Sequence, residues 1–214
     1  MPNTYFQFKE FTIHQDQCAM KVCTDACILG AWFADKTPSW SEVLDIGSGT
    51  GLLMLMLAQK QKGQVTGIEL DLAAYRQLRE NIGQSPWKEI LRVYPGDVRS
   101  FYFPGKFDFI ISNPPFYEGD LPAATGARNL ARHSRQLTLA ELLAAVDANL
   151  SREGSFGVLL PYHRTSSFET LATSAHGFSL REKLLVRQTP RHDFHTLDRK
   201  PVLNQLWDHL FARD

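Results

Sequence analysis

Two short stretches carry residue types that can do chemistry together. In "DFIISNPPFYEG" (108–119) an apolar run stops at Asn113, followed by Pro114, Pro115 and Phe116. An amino group conjugated to a ring or carbonyl is a poor nucleophile because its lone pair is delocalised. Two acceptors aimed at its hydrogens favour a pyramidal nitrogen and turn the lone pair toward an electrophile. The Oδ1 of Asn113 supplies one acceptor. The carbonyl of Pro114 supplies the second, free of sheet bonding because Pro115 has no N–H and consecutive prolines hold an extended backbone. Phe116 then offers a ring on which a base can stack. The bland alternative is a strand terminator followed by a core phenylalanine.

The second stretch is "LDIGSGTG" (44–51), with Gly47, Gly49 and Gly51 at alternate positions. Glycine removes the Cβ that would hold a ligand away and accepts the positive φ of a tight turn. Asp45 either braces this loop through its amides or faces a cofactor's amine. Eighteen residues after Gly51 stands Glu69, whose carboxylate suits both hydroxyls of a ribose. The spacing G-x-G-x-G is one residue short of the dinucleotide fingerprint, and the loop has no lysine for a phosphate. A nucleoside cofactor without a pyrophosphate, S-adenosylmethionine above all, fits better than a dinucleotide, which remains the rival for this motif alone. Asp97, in "YPGDVRS" (94–100), is either an acceptor for an adenine amino group or a plain turn or cap aspartate.

These residues need a scaffold, and the chain spells one out. Short apolar or β-branched runs at 42–47, 64–70, 90–98, 107–113, 154–161 and 180–188 alternate with helical patterns at 51–59, 72–82, 139–150 and 166–177. That rhythm predicts an α/β fold, a Rossmann-like sheet with helices on both faces. Residues in the fourth run then lie at the point where the strand order reverses and open onto the ligand crevice. The expected divisions are an N-terminal extension over 1–42 that packs on the cofactor site, a core over 43–188 and an atypical tail over 189–214. The tail's last dozen residues read as a short amphipathic helix, so a seventh strand is expected to be missing and the sixth to have an exposed edge.

Composition narrows the rest. The 214 residues hold 23 basic and 23 acidic side chains, so no global field draws the molecule to a polyanion and any such contact is a local patch. Arg128, Arg132, His133 and Arg135 follow the Asn-Pro-Pro-Phe stretch and form one such patch; Arg187, Arg191, His192, Arg199 and Lys200 form another. Each is either a phosphate contact or a solvated polar loop. No membrane-spanning run or signal-peptide pattern is present, which points to the cytoplasm. Cys18, Cys23 and Cys27 lack a second cluster at zinc-ligand spacing and read as reduced thiols, with no metal expected.

"VLDIGSGTG", "GIEL" and "NPPF" resemble the class I S-adenosylmethionine-dependent methyltransferases of the amino-group branch. With "FTIHQDQCAMKVCTDACILGAWF" (11–33), "ENIGQSPW" (80–87) and "ARNLARHSRQLTLAELL" (127–143), the chain resembles the bacterial tRNA(Val) adenine-N6 methyltransferases that modify the adenosine beside the anticodon. The resemblance covers about residues 5–188. It implies that Lys21, Thr24, Asp25, Gly47, Glu69 and Asp97, with Asn113 at the methyl end, line the cofactor. It also implies that Asn113, Pro114 and Phe116 take an unpaired base of an anticodon loop. No membrane contact is expected from the sequence, and no obligate protein partner is inferred from it. The rivals are methylation of another amino group (an rRNA base, DNA adenine or a protein glutamine) and a non-catalytic RNA- or cofactor-binding protein.

Overall fold

The computed structural model describes residues 3–36, 41–115, 137–187 and 205–213. A hairpin of β1 (Tyr5–Gln7) and β2 (Thr12–His14) leads through an irregular segment to helix α1 (Thr24–Ala34). The alternation then begins: β3 (Glu42–Ile46), α2 (Leu52–Ala58), β4 (Gln64–Glu69), α3 (Leu72–Gly83), β5 (Leu91–Pro95) and β6 (Phe107–Ser112). It ends with α4 (Leu139–Asn149), β7 (Leu150–Pro161), α5 (Tyr162–His176), β8 (Phe178–Arg187) and β9 (Gln205–Arg213).

Seven strands form one sheet in the order β5-β4-β3-β6-β7-β9-β8. The first five are mutually parallel, and β9 runs antiparallel to both neighbours. Strand β3 lies between β4 and β6, so the chain reverses direction across the sheet there. The ends of β3 and β6 flank the crevice that this topology opens.

The expectation of a missing seventh strand is overturned. Strand β9 slots between β7 and β8, pairing from Ser155↔Ala212 to Pro161↔Leu206 on one side and from Phe178↔Arg213 to Arg187↔Gln205 on the other. The expected helix over the last dozen residues is therefore wrong over 205–213. Leu206, Trp207, Leu210 and Phe211 mimic a helical stripe, but two ladders already waiting on either side decide the conformation. The sixth strand of the sequence reading, β8, is the sheet's edge, with one side covered by β9.

Alternation along the strands feeds two cores. Phe109 and Ile111 join α1 and α2 through Leu29, Phe33, Met54 and Leu55; Ile110 faces the other way to Leu142, Val146 and Phe168. Helix α2 is buried along its whole length, which accounts for "LLMLMLA" having no polar face. Helix α4 starts from a capping box in which Thr138 accepts from the Glu141 amide at 3.1 Å and Glu141 accepts from the Thr138 amide at 2.8 Å.

Candidate active site

The glycine loop joins β3 to α2. Gly47, Gly49 and Gly51 adopt φ of +74°, +53° and +85°, a region that other L-residues adopt only at a cost. Two amides pin the loop to β4, since the N–H groups of Gly47 and Ser48 both donate to the Ile68 carbonyl, at 3.0 and 3.2 Å. Beneath it Gly67 must be glycine: a Cβ there would lie 2.5 Å from Ser48 Oγ and 2.4 Å from Met54 Sδ. Above it the space is open. A Cβ on Gly47 would meet nothing among the described residues within 4 Å.

Glu69 ends β4 beside this loop. Its Oε2 accepts the Gly49 N–H at 2.8 Å and its Oε1 accepts the Asp71 N–H at 2.8 Å. Burial raises its carboxyl above the usual range, against the pull of those two amides. A carboxylate has about four acceptor positions, so two remain for a ligand's hydroxyls.

Asp45 lies at the end of β3 with 0% of its surface exposed. Neither carboxylate oxygen has a hydrogen-bond partner among the described residues. The Ser48 hydroxyl donates instead to the Asp45 main-chain carbonyl, at 3.0 Å. Among the described residues no loop amide donates to that carboxylate. Burial, outweighing the nearby Ser48 hydroxyl that pulls the other way and helped by the Glu69 charge, pushes the Asp45 carboxyl up to about 8.

Asn113 follows β6 directly. The preceding residue, Ser112, donates to the Ile46 carbonyl at 2.9 Å, tying the root of Asn113-Pro114-Pro115 to the root of the glycine loop. The Oδ1 of Asn113 is buried and without a partner among the described residues, while its Nδ2 donates to Met20 Sδ at 3.8 Å. Pro114 is buried and Pro115 exposed. The four cofactor-side positions Asp45, the glycine loop, Glu69 and Asn113 are thus brought to neighbouring strand ends on one edge of the sheet.

Asp97 takes the turn role. Its Oδ1 accepts the Arg99 N–H at 3.0 Å, and its Oδ2 pairs with the Arg99 guanidinium at 2.6 Å. That guanidinium holds the Asp97 carboxyl below its ordinary range and also reaches Glu141 at 3.1 Å.

The N-terminal segment reaches the same edge of the sheet. Thr24 and Asp25 open the first turn of α1, and the Lys21 ammonium donates to the Gln15 carbonyl. Burial, then the Glu69 charge, pushes the Cys18 thiol up to about 11. All three cysteines are free thiols. The described residues contain no cluster of side chains able to hold a metal.

Sequence reading missed the side chains that fix this segment. Gln77 and Asn81 of α3 are each only 1% exposed. Gln77 accepts the Gln17 N–H at 2.8 Å and donates to Asp16 at 2.7 Å. Asn81 accepts the His14 N–H at 2.9 Å and donates to the carbonyls of His14 and Thr50, at 2.9 and 2.8 Å. Gln15, also buried, accepts the Val22 N–H at 2.8 Å. The available signal was position: Gln77 and Asn81 are one turn apart on the α3 face that carries Ala74, Leu78 and Ile82. Phe116, Arg128, Arg132, His133, Arg135, Arg191, His192, Arg199 and Lys200 lie outside the described residues.

A mostly parallel sheet that reverses at a glycine loop, with an acid on the next strand and an amide on the fourth, is the arrangement of a Rossmann-like methyltransferase. Residues 28–150 match the family model described as methyltransferase small domain. The chain belongs to the tRNA1(Val) (adenine(37)-N6)-methyltransferase family. It is 42% identical to the protein of that name from Dyadobacter fermentans over 92% of this chain and 79% of the relative. It is 41% identical to the one from Tolumonas auensis over 92% and 84%.

Solved structures agree on the fold. TYW2 from M. jannaschii, crystallised in complex with AdoMet, superposes with a TM-score of 0.64 at 16% identity, over 98% of this chain and 86% of that one. A methyltransferase from Pyrococcus furiosus gives 0.61 at 19% identity, over 90% and 84%.

Proposed function

We propose that this protein transfers a methyl group from S-adenosylmethionine to the exocyclic N6 of an adenosine in tRNA, in the anticodon loop of tRNA(Val). The observation that carries the reading is the Asn113 amide. Its Oδ1 is a buried acceptor without a partner among the described residues, at the carboxyl end of β6 beside the glycine loop. Leaving a buried acceptor unmade costs about 1–3 kcal/mol, and an amino group arriving with the substrate removes that cost.

The residues present fit the cofactor. The orphaned Asp45 carboxylate suits the ammonium of a methionyl group, the open face of Gly47 and Gly49 admits a ligand against main chain, and Glu69 retains acceptor capacity for the ribose. Lys21, Thr24 and Asp25 line the remaining rim in this assignment. S-adenosylmethionine supplies a sulfonium methyl, an electrophile that needs no metal. The chain's own part is alignment: Asn113 Oδ1 and the Pro114 carbonyl accept the two amino hydrogens, and Pro115 keeps that carbonyl out of any ladder. Phe116 stacks the base. The amino proton leaves to solvent, so no dedicated base is needed, and catalysis is orientation and preorganised electrostatics.

An anticodon loop presents bases already free of pairing, which lowers the cost of bringing one into the pocket. Arg128, Arg132, His133 and Arg135 meet its phosphates. A tRNA substrate places the protein in the cytoplasm. Among the described residues no helix is long and apolar enough to cross a membrane.

The test is purified protein alone with methyl-labelled S-adenosylmethionine and, separately, unmodified tRNA(Val), other tRNA transcripts, rRNA fragments, release factor and DNA. One N6-methyladenosine in the tRNA(Val) anticodon loop is expected. Label on protein, on DNA or on nothing overturns the reading.

A further inference from the structure

Met20 lies on the segment that Gln77 and Asn81 hold in place, and it is 43% exposed. Its sulfur stands 3.8 Å from Asn113 Nδ2, and the same amide's Oδ1 is buried and unpartnered among the described residues. A carboxamide can lie in either of two orientations of nearly equal shape, and neighbours that accept or donate decide which is adopted. A thioether has lone pairs and no hydrogen, so it accepts and never donates. It pairs with the NH2 end and repels the oxygen.

We infer that Met20 is a positioning residue: its Sδ accepts from Asn113 Nδ2 and so turns Oδ1 toward the substrate's amino group. The flipped amide would set oxygen against sulfur and leave a second donor in the acceptor's place, repelling the incoming N–H. The inference rests on the reading of Asn113 given above and adds a residue that acts through it. The hydrogen bonds of Gln77 to Gln17 and Asp16, and of Gln15 to Val22, bracket Met20 and fix where the sulfur can reach.

Two variants separate the sulfur's acceptor role from its bulk. Met20→Leu keeps the volume and removes the acceptor; Met20→Gln keeps the length and restores an acceptor, its carbonyl facing Asn113 Nδ2 while its own NH2 end is hydrated at this partly exposed position. Met20→Leu is expected to lower kcat about fivefold, the worth of one modest hydrogen bond, with KM for S-adenosylmethionine and for tRNA changed less than twofold. Met20→Gln is expected to stay within twofold of the parent in all three. Equal losses in both variants, no loss in Met20→Leu, or a loss carried by KM overturns the inference.

A second readout needs no turnover. The Asn113 side-chain amide cross-peak in a 15N-resolved NMR spectrum, assigned by its disappearance in Asn113→Asp, should move upfield in Met20→Leu, as an amide proton does on losing its acceptor, and should not move upfield in Met20→Gln. An unmoved peak in Met20→Leu also overturns the inference. Should the parent protein fail to methylate tRNA while this peak responds as expected, the reading of the reaction fails and the Met20–Asn113 contact stands.

Discussion

The Glu69 carboxylate holds the Gly49 N–H at 2.8 Å, so the acid at the end of β4 and the loop between β3 and α2 form one rigid unit. Cofactor affinity should therefore depend on Glu69 twice, through the loop it braces and through the ribose hydroxyls it receives. Charge-assisted hydrogen bonds of this kind contribute about 1.5–3 kcal/mol each. Glu69→Ala is expected to raise the Kd for S-adenosylhomocysteine by about ten- to a hundredfold, with kcat at saturating cofactor changed far less. Calorimetric titration checks the first and steady-state rates the second; an unchanged Kd would remove Glu69 from the site.

Asp45 makes stability depend on pH in the direction opposite to an ordinary ion-paired carboxylate. Its carboxyl goes from the usual 3.8 to about 8 on folding. Between those values the folded protein keeps a proton that the unfolded chain has lost, so stability falls as pH rises, by about 1.4 kcal/mol per pH unit at full difference. Below the lower value both states are protonated and the slope vanishes. Asp97 and Glu141, held below their usual ranges, act with the opposite sign but only in acid, under about pH 4.5. Urea unfolding of the cofactor-free protein should show stability declining from pH 5 to pH 8, and Asp45→Asn should reduce the decline. Binding of S-adenosylhomocysteine, whose ammonium favours the carboxylate, should release a proton at pH 7, seen as a dependence of binding enthalpy on the buffer. Glu69, whose carboxyl is also raised by burial, adds to the decline with the same sign, so Asp45→Asn should lessen the slope without abolishing it; an unchanged slope contradicts the assignment.

Phe211 shows what the last strand contributes. It is 0% exposed, stacked on Phe156 at 4.9 Å and 11°, and set edge-on to Phe168 at 5.6 Å. Phe211→Ala removes a ring from the middle of the α4–α5 side of the sheet and should cost about 3–5 kcal/mol, read as a lower urea midpoint. A cost under about 1 kcal/mol, the size of an ordinary surface change, would mean that the tail is dispensable.

The same residue marks where local sequence stops being informative. Strands β3, β4 and β6 declare themselves because each is buried on both faces and reads as an apolar run bounded by turn residues, and Gly47, Gly49, Glu69 and Asn113 stand at their ends. Strand β9 is specified by partners far away in the chain, β7 and β8. Its own residues satisfy a helical stripe equally well. The Met20 and Asn81 contacts were illegible for a related reason. A polar residue on a buried helix face says that it has a partner, but 67 residues separate Asn81 from His14, and nothing local identifies that partner. Asp97 sits between the two cases, since an aspartate after a strand fits a turn as well as a ligand contact, and the Arg99 pairing that selects the turn here is visible only in three dimensions.

Burial should separate two polar clusters that look alike by hydrogen-bond number. Asn81 makes three bonds to main chain while 1% exposed, bridging the N-terminal segment to Thr50 in the glycine loop. Arg99 also binds through several nitrogens, to Asp97 and Glu141, but its side chain is 28% exposed and water replaces what is lost. Arg99→Ala should cost less than about 1 kcal/mol. Asn81→Ala leaves the His14 N–H and two carbonyls unpaired, at about 1–3 kcal/mol for a buried unsatisfied group, and it also frees the segment that carries Lys21 and Met20. Its signature should be local as well as global: faster hydrogen exchange at amides 14–22 and a raised Kd for S-adenosylhomocysteine, with neither change in Arg99→Ala. Equal exchange in the two variants would show that the N-terminal segment is held by its own contacts, and that α3 does not govern access to the cofactor.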